Sequence, residues 1–118
     1  MEKQEHIKSP LEKIRDCLQD YSNDFMALNL IFEGGGIKGI KKLINNGFKV
    51  LTVEEYLEKY ELNGRETISV EEKNNPVFIE KAKELNELAN KINSLGEKID
   101  ELELKKAIEK VKKIINFK

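Results

Sequence analysis

The chain has 118 residues, 36% charged and 39% hydrophobic, with 21 basic against 22 acidic side chains, two prolines, one cysteine and no tryptophan. That length supplies one modest core and excludes two. A single Cys17 cannot close an internal disulfide, and with only His6 beside it a Cys/His zinc site cannot be assembled, so a secreted scaffold and a zinc finger are both excluded.

No apolar run approaches the roughly 20 residues that span a bilayer, and the charged start Met1-Glu2-Lys3-Gln4-Glu5 does not read as a signal peptide. The expectation is a cytoplasmic domain with no membrane contact. Residues 1–75 carry 11 basic and 14 acidic side chains, and residues 76–118 carry 10 and 8, so the two halves differ in sign. Abundant lysine, isoleucine and asparagine fit an AT-rich bacterial or phage genome.

Ser9-Pro10-Leu11-Glu12 opens the first helix: serine can accept the N3 amide, proline is preset at N1, and Glu12 can return to the cap amide. Leu11, Ile14, Leu18, Tyr21, Phe25 and Leu28 follow at spacings of three and four, predicting a helix from about residue 10 to at least 22. Tyr21-Ser22-Asn23-Asp24 offers a break. The apolar block Phe25 to Phe32 is compatible with helix or buried strand, with helix preferred. Gly34-Gly35-Gly36 is expected to be a loop, since three helical glycines would cost roughly 3 kcal/mol relative to alanine.

A short helix should follow, with Ile37, Ile40, Leu43 and Ile44 on one side and Lys38, Lys41 and Lys42 on the other, stopped at Asn46-Gly47. Phe48-Lys49-Val50-Leu51 reads as a short strand or extended link. Thr52-Val53-Glu54-Glu55 is a capping box for a helix to about Tyr60, Asn63-Gly64 a turn, and Glu66 to Val70 a strand placed to pair with 48–51.

Asn75-Pro76 starts a long charged amphipathic stretch to Asn116. Leu85, Leu88, Ile92, Leu95, Ile99 and Leu102 keep three-four spacing as a heptad-type seam, and Leu104, Ile108, Val111 and Ile115 form a second stripe rotated away from it. Ser94-Leu95-Gly96-Glu97 offers a cap and turn, giving an antiparallel hairpin; a continuous helix of about 41 residues would instead reach about 60 Å and protrude. Both readings stand at this point. Because the seam runs unbroken across Gly96, a homodimer that covers it is favoured. The fold expected is mainly α: a small helical body over 1–75 with a minor two-stranded β element, and a coiled-coil-like helix or hairpin over 76–118.

The string Phe32-Glu33-Gly34-Gly35-Gly36-Ile37-Lys38-Gly39-Ile40 resembles the glycine-rich oxyanion loop of patatin-like phospholipases, over about nine residues. That family also needs a Gly-x-Ser-x-Gly elbow and a later aspartate beside glycine, and Ser9, Ser22, Ser69 and Ser94 all lack that setting. A nucleotide P-loop is excluded because no Gly-Lys-Ser/Thr follows the glycines. The candidate chemistry left to the string is anion contact by Gly35, Gly36, Lys38, Lys41 and Lys42.

Residues 51–68 resemble the helix-turn-helix of phage excisionase-type regulators, which open with a similar Leu-Thr-Val-Glu-Glu helix. In the presumed reading helix, Arg65 to Lys73, Glu66, Glu71 and Glu72 would oppose phosphate. Cys17 beside Ile14 and Leu18 reads as a core residue, His6 as solvated, and the pairs Glu54/Glu58 and Asp100/Glu103 as exposed helix carboxylates. The lysines of 105–118 suit a helix C-terminus. The functional expectation is a non-enzymatic interaction protein without cofactor or metal, a phage or mobile-element accessory factor or inhibitor that binds another protein. The alternative is a DNA-binding regulator using residues 52–73.

Overall fold

The structure is a computed structural model and describes residues 9–62 and 68–116. Its elements are α1 (Pro10–Asn45), α2 (Val53–Leu62), α3 (Val70–Lys73), α4 (Pro76–Leu95), a 3-10 turn (Gly96–Lys98) and α5 (Glu101–Ile115). His6, the Asn63-Gly64 turn, Arg65, Glu66, Thr67 and Phe117 lie outside the described residues.

The helix starts follow the local chemistry. Ser9 and Glu12 close the capping box of α1, Thr52 and Glu55 make the equivalent pair before α2, and the Asn75 carboxamide oxygen accepts the Val77 amide. The stop at Asn46-Gly47 is also as expected: Phe48 N–H reaches Leu43 O and Gly47 N–H reaches Ile44 O, with Gly47 at φ 96°.

Residues 25–32 are helical, and α1 does not end at the glycines. The expected three-residue loop is one residue long. Gly34 and Gly35 keep helical backbone, and only Gly36 departs, at φ 64° and ψ −166°, a region open to glycine alone. The chain bends back sharply there. A Cβ on Gly39 would lie 3.6 Å from Ile31 Cγ2, whereas eight residues along a straight helix would separate them by about 12 Å. Tertiary burial outweighs the glycine propensity cost, because Leu28 before the bend and Ile40 after it are both fully buried.

No strand forms among the described residues. The segment 48–52 is neither helix nor strand, and α4 side chains take the place of a β partner. Asn93 Oδ1 accepts from Val50 N–H at 2.8 Å and Asn93 Nδ2 donates to Val50 O at 2.7 Å. Seven residues earlier on the same face of α4, Asn86 Oδ1 accepts from Val53 N–H at 2.7 Å, and from the other side the Tyr21 hydroxyl of α1 donates to Leu51 O. With its backbone groups met by side chains, the link has no use for a second strand.

The C-terminal stretch is a hairpin. Gly96, at φ 53°, ends α4, and Asp100 rather than Ser94 caps α5 by accepting Glu103 N–H at 2.8 Å. Ser94 bonds back to Lys91 O. The arms run antiparallel, with Lys91 paired to Glu103 at 3.1 Å near the turn and Lys81 Nζ donating to Ile114 O at 2.8 Å at the far end. The seam is therefore covered within one chain: Leu85, Leu88, Ile92 and Ile99 are buried, Leu95 is half-buried, and Leu102 stands 60% exposed. Ile99 lies in the turn rather than on a helix, so Leu102 faces water and the stripe of Leu104, Ile108 and Val111 faces inward.

One hydrophobic cluster runs from Ile14 to Val111 and joins α1, α2, α4 and α5, so segments 1–75 and 76–118 share a core. At 54 × 30 × 29 Å the molecule is elongated.

Candidate functional site

The anion-contact residues straddle the α1 bend. Gly35, Lys38, Lys41 and Lys42 are exposed and Gly36 is half-buried, with the three lysines on the outer face of the limb after Gly36, opposite buried Ile40. The glycine string that resembled an oxyanion loop follows a helix rather than a strand and stays helical through Gly35, so that arrangement of backbone amides is not built.

The carboxylates noted in sequence make local structural contacts. Asp100 is a cap, and Glu54 accepts from Asn86 Nδ2 at 2.7 Å, linking α2 to α4. Glu55 is held down to about 2, chiefly by the Thr52 amide and then by Lys49 Nζ at 2.9 Å. Glu72, on α3, is turned inward: it accepts the Ser69 amide at 2.8 Å and pairs with Lys13 of α1 at 3.6 Å, and these contacts lower its pKa against the opposing effect of burial. Of the proposed DNA-reading helix, the structure describes Ile68 onward. There it is a four-residue helix presenting Val70 and Glu71 to solvent.

Cys17 is buried beside the aromatic cluster of Tyr21, Phe25, Tyr56 and Tyr60, where burial and the neighbouring Tyr60 raise the Tyr56 pKa. Among the described residues no three His, Cys, Asp or Glu side chains gather as a metal site would require, and no helix is long and apolar enough to cross a membrane.

Two open grooves flank α4. One, of about 450 Å³, lies between α4 and α5 over Leu88 and Ile114 and is rimmed by Glu84, Lys91, Lys110 and Lys113. The other, of about 390 Å³, lies where α2 and α3 meet α4. Its floor is Phe78 and Ala82, both buried, and at its edge Ile79 stands 52% exposed. Glu54, Lys73, Lys83 and Glu87 ring it in both signs of charge. The groove thus has an apolar centre inside a mixed-charge rim.

The sequence reading did not single out Ile79, Asn86 or Asn93. Ile79 falls outside the seam: the three-four spacing continues back from Leu85 through Ala82 to Phe78, and Ile79 stands one position past it. The asparagines lie on the flank of the seam seven residues apart, which puts them on one face of α4; only the structure shows that this face meets the backbone of Val50 and Val53.

Compared with known proteins, the chain matches no family model, no curated protein and no solved structure.

Proposed function

We propose that the chain is a non-enzymatic interaction protein that docks onto another protein, in the role of a phage or mobile-element accessory factor or inhibitor. The observation that carries this reading is the groove at the junction of α2, α3 and α4, where exposed Ile79 borders a floor of Phe78 and Ala82 within a rim of Glu54, Lys73, Lys83 and Glu87. The rigid α4 scaffold supports it, since Asn86 joins the groove wall to α2 through both Val53 and Glu54. A partner inserting an aliphatic or aromatic anchor there would bury apolar surface and meet either charge at the edge.

The test is affinity capture from the native host with three immobilised proteins: wild type, Ile79→Asp, and Leu102→Asp as a surface control. The expected result is a partner retained by wild type and by Leu102→Asp and lost from Ile79→Asp, with all three equally helical. Retention of the same partner by Ile79→Asp would move docking off this groove. Binding to duplex DNA that weakens steeply with added salt would overturn the protein-docking reading in favour of a DNA-binding regulator.

A further inference from the structure

We infer that the limb of α1 after the bend, residues 37–45, is a hinged segment that lifts from the helical body about two glycine joints. The joint at its start is Gly36, at φ 64° and ψ −166°; the joint at its end is Gly47, at φ 96°. Both backbones are ones an L side chain resists, so the limb is a rigid helical piece between two pivots.

Gly34 and Gly35 supply the second observation. Both are helical, neither has a positive φ, and a Cβ on either would meet nothing within 4 Å. The closed structure has no use for glycine at these two positions, yet each weakens the helix roughly fivefold relative to alanine. Their effect is to let the chain before Gly36 unwind, which the closed state does not need and an opened state does.

The limb is also lightly attached. Ile40 is its one fully buried side chain, with Ile37, Leu43 and Ile44 only partly covered. Beneath it lies a small cavity of about 40 Å³, bordered by Leu28, Ile44, Phe48, Val50 and Ile92, where packing contacts are missing. Beyond the second joint the chain is fixed again by the Asn93 pair with Val50. Opening therefore swings the limb and its face of Lys38, Lys41 and Lys42 while the link to α2 stays docked, and it uncovers Ile40 together with Leu28 and Ile92 beneath. This inference does not depend on the docking reading.

Native-state hydrogen exchange on the full chain decides it. The amides of residues 40–45 should exchange at least about a hundredfold faster than those of Leu85 to Ile92 on α4, through an opening separate from global unfolding. In a Gly34→Ala, Gly35→Ala variant, which has room for both methyl groups, exchange in the limb should slow by roughly fivefold per substitution. Limb amides that exchange in step with α4 in the wild type would overturn the inference. So would a limb that opens separately but at a rate the alanine pair leaves unchanged, because the opening would then not use the glycine joint.

Discussion

The Asn93 carboxamide meets both backbone polar groups of Val50, accepting from its N–H at 2.8 Å and donating to its carbonyl at 2.7 Å. One side chain thus does for a fully buried residue what a neighbouring strand would do. Removing it leaves two buried groups without partners. Asn93→Ala should destabilise the fold by about 2 to 4 kcal/mol, read as a lowered midpoint in urea. Asn93→Asp keeps an acceptor for the Val50 amide but sets a carboxylate against the carbonyl, and should be no better than alanine at neutral pH.

The hairpin separates residues that look equivalent in the heptad pattern. Ile92, 2% exposed, should cost about 2 to 5 kcal/mol when changed to alanine. Leu102, 60% exposed, should tolerate lysine within about 0.5 kcal/mol. Sedimentation of Ile92→Ala should give the same mass as wild type, with the loss confined to stability. A fall from two chains to one on that change would mean that a second copy helps cover the seam.

At Gly36 the backbone itself sets the penalty. Gly36→Ala forces a side chain into a glycine-only region and should cost about 1 to 3 kcal/mol, lowering the melting temperature by several degrees. Helix propensity would predict the opposite sign, so a stabilised variant would show that the bend is absent.

Acid should loosen two contacts whose carboxyls titrate low. Glu55 drops from an ordinary 4.5 to about 2, and Glu72 is also lowered. A depressed carboxyl contributes its full stability above its unfolded pKa and loses it as pH falls through the folded value. Stability should therefore decline between about pH 5 and pH 2. Glu55→Gln should flatten that slope and leave the slope above pH 5 unchanged, as measured by denaturant unfolding across the pH series.

The parts of the fold legible in sequence were those fixed by bonds a few residues long. Ser9 with Glu12, Thr52 with Glu55, Asn75 before Pro76, and Gly47 after Asn46 each act within one turn, and each stands where the residues place it. What was not legible depends on distant partners. Residues 48–51 read equally as a short strand or a link, and Asn93 and Tyr21, 43 and 30 residues away, decide for the link by meeting its backbone. Three glycines read as a loop because propensity counts each residue alone, whereas Leu28 and Ile40 are held by the whole core. The unbroken three-four spacing across Gly96 conceals a turn, since Ile99 keeps its burial from within that turn. Ile79 gave no signal, because an exposed isoleucine acquires meaning only from the groove beside it.

The aromatic cluster decides what light can report about this molecule. The chain has three tyrosines and no tryptophan, and Tyr21, Tyr56 and Tyr60 all sit in a single edge-to-face and tilted stack, with centroids 5.6 and 4.5 Å apart, spanning α1 and α2. Intrinsic fluorescence and near-ultraviolet dichroism of tyrosine therefore sense the docking of α2 on α1. The α4–α5 hairpin carries no tyrosine and is silent in both. An unfolding transition followed by tyrosine and again by the far-ultraviolet signal of all the helices thus compares the α1–α2 junction with the whole molecule, and a gap between the two curves means that the junction and the remaining helices come apart independently.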